Sequence, residues 1–212
     1  MLKRHSQQGD TLIEVLLAIT IFSLVVVTSL TLMNQGTAAA QRSLEIATVR
    51  QQIDGQAEAL RFMHDSYIGI YRSGITFNLS DGVSSPAEEW SKMMTQVNAT
   101  RTTFRNASAF GRAACPTTPP ATSFIINPRT VRFEPNQTFI KPATTWSQLE
   151  FNSSGALTAS NGMWIEAVSS LPVAGQSNAG YIDFHIRACW YGPSTTTPMT
   201  TGTIVRLYEP RG

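Results

Sequence analysis

The chain's clearest pattern is a stretch with no charge. From Val15 to Met33 there are nineteen residues without a charged side chain. Counted from Thr11, the run is twenty-three residues with Glu14 inside it. As a helix it is about 34 Å long at ~1.5 Å per residue, enough to cross a bilayer core of roughly 30 Å. Beyond it the helical period continues. Ile46, Val49, Ile53, Ala57, Leu60 and His64 share one face, and Arg50, Asp54, Glu58, Arg61 and Asp65 line the opposite one. One continuous helix is expected, half anchor and half scaffold. Gly36 and Gly55 are its soft points, at about 1 kcal/mol each relative to alanine.

The segment "SSPAEEW" is a helix start. Ser85 can cap, Pro86 suits the first turn, and Glu88 stands three residues on to close a capping box. Trp90, Met93, Met94 and Val97 then form a short apolar face. The stretch "GRAACPTTPPATSFIINPRT" reads as loop, its prolines and glycine excluding long regular structure. After it the period changes to two. "QLEFNSSGALTASNGMWIEAV" holds three short runs divided by turn chemistry at Asn152–Gly155 and Asn161-Gly162, and the Asn-Gly pair predicts a hairpin. In "YIDFHIRACW", Ile182, Phe184, Ile186, Ala188 and Trp190 face one way. Tyr181, Asp183, His185, Arg187 and Cys189 face the other, which reads as a solvated polar face. A last strand, "TIVRLY", follows a Ser, Thr and Pro loop. The fold class is α+β, a long N-terminal helix packed on an antiparallel sheet.

Charge adds little beyond the N-terminus. The formal net charge is +2, and Lys3 and Arg4 supply all of it; the remaining 14 basic side chains face 14 acidic ones. A balanced surface gives no global steering toward nucleic acid. Lys3 and Arg4 precede the apolar run, so the positive-inside rule keeps the N-terminus cytoplasmic and exports the rest. The two cysteines, Cys115 and Cys189, are too few for a disulfide scaffold or a cysteine zinc site. In an exported domain they are expected to form one bridge, tying the loop-rich middle to the penultimate strand. By strand parity Cys189 lies on the polar face, which places that bridge at the sheet surface.

The stretch Gly9-Asp10-Thr11-Leu12-Ile13-Glu14 resembles the processing site of type IV prepilins and of the pseudopilins of type II secretion and competence systems. The shared features are a short basic leader, a glycine at the cut, a glutamate five residues beyond it and a long apolar helix. The resemblance covers residues 1 to about 65, and beyond that only the general layout is similar to a pilin head. It implies a leader at 1–9, a transmembrane or filament-core helix at 10–33, an amphipathic continuation at 34–72 and an exported α+β head at 73–212. It also implies prepilin peptidase cleavage between Gly9 and Asp10, with Glu14 serving filament assembly. Phenylalanine usually follows the cut in that family and Asp10 stands here, a departure that bears on N-methylation of the new terminus. A competing reading takes Ala38-Ala39-Ala40 as a signal-peptidase site, with the mature chain starting at Gln41, and leaves Glu14 without a role.

Signs of catalysis are thin. Asp183 and His185 share a strand face and could form an acid–base pair, but the residues carry no phosphate loop, no G-x-S-x-G and no metal-ligand spacing. No cofactor, metal or catalytic residue is therefore expected. One local feature stands out: Arg101, Arg105, Arg112, Arg129 and Arg132 lie in a span with no acid between Glu89 and Glu134, interleaved with Phe104, Phe110, Phe124 and Phe133. Arginines with aromatics can hold a phosphate backbone and stack bases. Three functions follow. The first is a non-enzymatic filament subunit, a minor pilin or pseudopilin, assembled with other subunits through an inner-membrane platform. It passes from the bilayer to an extracellular or periplasmic filament. The second is a DNA-uptake pilin using those arginines. The third is an anchored, exported binding module that never polymerises.

Overall fold

A computed structural model of the protein describes residues 10–73, 84–100, 102–103, 114–118, 120, 123–135, 140–169, 180–193 and 195–209. The chain divides into two units, Met1–Leu44 and Glu45–Gly212. Helix α1 spans Asp10–Ser73, 64 residues, and runs through both Gly36 and Gly55. In the first unit every described side chain from Leu12 to Leu44 is exposed.

In the second unit the period of the remaining helix turns into burial. Val49, Ile53, Ala57, Leu60 and Met63 sit in the core, while Arg50, Asp54, Glu58, Arg61 and Asp65 face solvent. Beside them lies α2 (Pro86–Thr100), which contributes Trp90, Met93 and Val97 to the same core. Its start is the reciprocal cap. The Ser85 N–H donates to Glu88 Oε2 at 2.6 Å, and the Glu88 N–H donates to Ser85 Oγ at 3.3 Å.

The main sheet contains β1 (Thr102–Thr103), β2 (Ser123–Asn127), β3 (Arg132–Pro135), β7 (Met163–Ser169), β8 (Tyr181–Tyr191) and β9 (Pro198–Tyr208). Five of them form an antiparallel path ordered β3-β2-β7-β8-β9, and β1 pairs in parallel with the end of β7. A second, three-stranded sheet is ordered β4-β6-β5, from β4 (Ile140–Lys141), β5 (Gln148–Phe151) and β6 (Leu157–Asn161). Strand β2 arises within the stretch the sequence reads as loop. Its five residues are all buried, so "SFIIN" is a fully covered strand without the alternation that marks half-buried ones.

Alternation along β8 is real, but one of its consequences is not. Ile182, Phe184, Ile186, Ala188 and Trp190 face the two helices across the core. The opposite face is solvated only toward Tyr181 and Asp183, which are half-buried: His185, Arg187 and Cys189 are buried, as are Trp164 and Glu166 beside them on β7. The disulfide joining Cys115 to Cys189 (Cα–Cα 5.5 Å) is accordingly not a surface bridge. Cys189 packs with Ile140 of β4 and Trp164 of β7, so the small sheet reaches over this end of the face.

Nor is Asn161-Gly162 a hairpin. Strands β6 and β7 belong to different sheets, and Gly162 is the corner between them. Its N–H donates to the Lys141 carbonyl at 2.6 Å, and its carbonyl accepts from the Cys189 N–H at 2.8 Å. Gly162 has φ +64°, and a Cβ there would stand 2.2 Å from the Cys189 carbonyl oxygen. The positive φ that suits a hairpin turn serves here to pass the chain from one sheet to the other.

Candidate functional site

The segment that carries the chemistry is the start of α1. Helix begins at Asp10, so Glu14 stands one turn inside it, at the edge of a surface that is apolar all round. Leu12, Ile13, Leu16, Leu17, Phe22, Leu24 and Leu32 are between 55% and 70% exposed, an apolar surface far larger than a water-facing helix keeps. Within it the hydroxyls of Thr20, Ser23, Thr28 and Thr31 donate to carbonyls three or four residues back, at 2.8–2.9 Å. Those groups are satisfied inside the helix, as an apolar medium demands. Glu14 has no hydrogen-bond or ion-pair partner among the described residues. Among the described residues of the segment, Glu14 is therefore the one charged group left without a partner.

Residues 4–30 match the family model of the prokaryotic N-terminal methylation motif. The chain carries a type IV prepilin signal. Signals of this kind imply processing by prepilin peptidase and assembly with other pilins. Together with a helix long and apolar enough to cross a membrane, the prepilin signal points to an inner-membrane anchor. Long apolar helix and antiparallel sheet make an α+β, pilin-like layout. No curated protein and no solved structure matches the chain. The signal ends at residue 30, so what the head does rests on its own residues.

Of the five arginines expected to cluster, Arg101, Arg105 and Arg112 lie outside the described residues. Arg129 lies in the β2–β3 turn, where Val131 takes the strained φ of 53°, and Arg132 opens β3. The Arg129 guanidinium lies 4.1 Å over the Phe151 ring. The interleaved phenylalanines that are described are not free to stack bases. Phe124 is 2% exposed in the core, and Phe133 packs on it with ring centroids 5.4 Å apart.

Asp183 and His185 do not form a pair. Arg206 of β9 holds both Asp183 carboxylate oxygens, at 2.7 and 2.8 Å, and that bidentate bond raises the arginine's pKa. His185 turns instead to Arg187, its Nδ1 3.1 Å from a guanidinium nitrogen. Burial first, then the Arg187 charge, push the His185 pKa down, which keeps the ring neutral. Arg187 in turn lies 3.4 Å from Glu166, which also accepts from the Trp164 indole N–H at 3.3 Å. This buried network pairs its charges with one another, as a structural cluster does.

Four polar side chains the sequence reading passed over fasten the helices to the sheets. Glu45 accepts from the Trp190 indole N–H at 3.2 Å, and Gln52 from the Leu149 N–H at 2.8 Å. Gln56 clasps Ile126, donating to its carbonyl at 2.6 Å and accepting from its N–H at 3.0 Å. From α2, Glu89 accepts from the Phe133 N–H at 2.9 Å. Burial works against the Glu89 charge, but hydrogen bonds from Ser84, the Phe133 N–H and Lys92 outweigh it and hold the pKa below the ordinary value. A signal for the three on α1 was present: 45, 49, 52, 56, 60 and 63 continue the helical stripe, and polar residues on an apolar stripe mark hydrogen-bonded contacts.

Proposed function

We propose that the protein is a non-enzymatic filament subunit, a minor pilin or pseudopilin. It is cut between Gly9 and Asp10 and drawn from the inner membrane into a type IV pilus or a secretion or competence pseudopilus. The observation that carries this reading is the bare apolar helix from Leu12 to Met33 with Glu14 as its one carboxylate, most of it inside the prepilin signal at residues 4–30. A carboxylate costs up to about 3 kcal/mol at the bilayer centre and less near the edge, where Glu14 sits. Cleavage creates an α-ammonium at Asp10, and a neighbouring subunit's ammonium can answer the Glu14 carboxylate. Opposite charges ~4 Å apart gain about 4 kcal/mol at an effective dielectric of 20, enough to offset the cost. Such a pair fixes the axial register between subunits while their apolar helices cover one another. Asp10 brings its own carboxylate to that pairing and competes for the same ammonium.

The DNA-uptake reading is the weaker one, because Phe124 and Phe133 are taken up by the core. The decisive variant is Glu14→Val. It should insert and be cleaved like wild type yet be lost from sheared filaments. Equal partitioning of variant and wild type into filaments would refute the assembly role of Glu14.

A further inference from the structure

Strand β9 stands at the end of the main sheet, with β8 as its one neighbour among the described strands. The two pair without a break from Tyr181 opposite Tyr208 to Tyr191 opposite Pro198. One bond shows which backbone groups of β9 look outward. The Glu209 N–H donates to the Gly180 carbonyl at 2.9 Å, and the same register sets those two residues opposite each other. Hydrogen-bonded positions alternate in an antiparallel pair, so odd-numbered residues of β9 turn their backbone groups to β8 and even-numbered ones turn theirs away. Tyr208 agrees, since its carbonyl is met from α1 by His64 Nε2 at 2.9 Å. Thr200, Gly202, Ile204 and Arg206 continue the outward row, and all four are exposed, Ile204 by 60%. Their outward N–H and C=O groups have no partner among the described residues. The strand also lacks the devices that keep a bare edge from pairing: it has no lysine and no bulge, and proline only as its first residue.

We propose that this edge is a self-association surface, on which β9 pairs antiparallel with β9 of a second copy of the chain about a two-fold axis at Ile204. The axis sets Ile204 opposite Ile204 and Gly202 opposite Arg206, and each such pair exchanges two backbone bonds. Ile204 is the apolar side chain of the outward row, so the register that joins it to its copy gains an aliphatic contact at the centre. Charge selects the occupant. Arg206 is the one charged residue of β9, and Asp183 already holds it at 2.7 and 2.8 Å. A strand carrying charge would find no counter-charge on the row, whereas a second β9 brings the same compensated surface. Glycine opposite Arg206 leaves the guanidinium room. His64 occupies the Tyr208 carbonyl, so the bonded centre of the contact runs from Gly202 to Arg206. The contact concerns the head alone and holds whether or not the chain enters a filament.

The test uses the full chain in uncharged maltoside micelles. Cys115 and Cys189 are joined to each other, so an introduced cysteine supplies the reactive thiol. A short bis-maleimide should cross-link Ile204→Cys to a dimer. Thr200→Cys should stay uncross-linked, because four residues on each side of the axis at ~3.4 Å per residue put the two thiols about 27 Å apart. Ile204→Lys sets two ammonium groups opposite each other and should weaken self-association about tenfold or more in sedimentation velocity. Ile204 is exposed, so the lysine variant should unfold at the wild-type temperature. Association through the apolar half of α1 would survive Ile204→Lys unchanged, and that result would overturn the proposal. So would a monomeric wild type, no cross-link at position 204, or equal cross-linking at positions 200 and 204.

Discussion

Replacing Gln56 by leucine tests how the helix holds the sheet. Strand β2 pairs with β7 only at Ser123 and Phe124, so by Ile126 it has left that neighbour. On its other side Ile126 stands opposite Phe133. The Phe133 N–H donates to Glu89 and both Ile126 backbone groups go to Gln56, so this is a pair whose backbone groups point away from each other. The two helices thus complete a ladder that the strands leave unfinished. Gln56 is fully buried, so no water can replace it. Leucine has a similar volume but neither donor nor acceptor. Each orphaned backbone group costs about 1–3 kcal/mol, and the added apolar burial returns about 1–2 kcal/mol. For two such groups the net loss centres on about 2.5 kcal/mol. With a urea slope of ~2 kcal/mol/M, the midpoint should fall by roughly 1–2 M. The assay is urea unfolding of the full chain in maltoside micelles, read by tryptophan fluorescence, with exposed Gln51→Leu as the control. A Gln56→Leu midpoint within experimental error of Gln51→Leu would refute the reasoning.

Two further outcomes follow from the same contacts. Gly162→Ala should cost about 3–5 kcal/mol, since an alanine at positive φ must also push its Cβ against the Cys189 carbonyl, breaking the corner; a variant as stable as wild type in the same urea assay would contradict that corner. For Glu89, the folded pKa lies below the ordinary value of 4.5, so its contribution is complete above 4.5 and is lost as pH falls through the folded pKa. Glu89→Gln should therefore be less stable at pH 7, with a shallower loss of stability below pH 4.5, and parallel stability–pH curves for the two proteins would exclude the linkage.

The helical half of the fold was legible because it obeys one period. The stripe from Val49 to Leu60 names the buried face, and the Ser85–Glu88 cap names where α2 begins. Strand parity along β8 was legible too, since Ile182 to Trp190 do share the core face. What parity cannot report is what lies on the other side. The small sheet is built within residues 140–161, far in sequence from Cys189, so its cover over that residue is a tertiary fact. Gly162 failed as a hairpin signal for the same reason: Asn-Gly specifies a backbone conformation, and the partners of the flanking strands decide what that conformation joins. Gln52, Gln56 and Glu89 escaped notice because composition treats them as surface residues, although their spacing put them among apolar neighbours. At the N-terminus the reverse holds. Glycine, glutamate and apolar helix are read by linear spacing, so the prepilin signal stands in the sequence with no fold required.

The central claim is that the chain works as a processed subunit within a filament, and the most direct measurement is the N-terminal sequence of the protein recovered from sheared filaments. Mature protein is expected in that fraction, beginning at Asp10 and retaining Glu14 with the whole apolar helix. A mature chain beginning at Gln41, or an uncut chain confined to the membrane fraction, would contradict it.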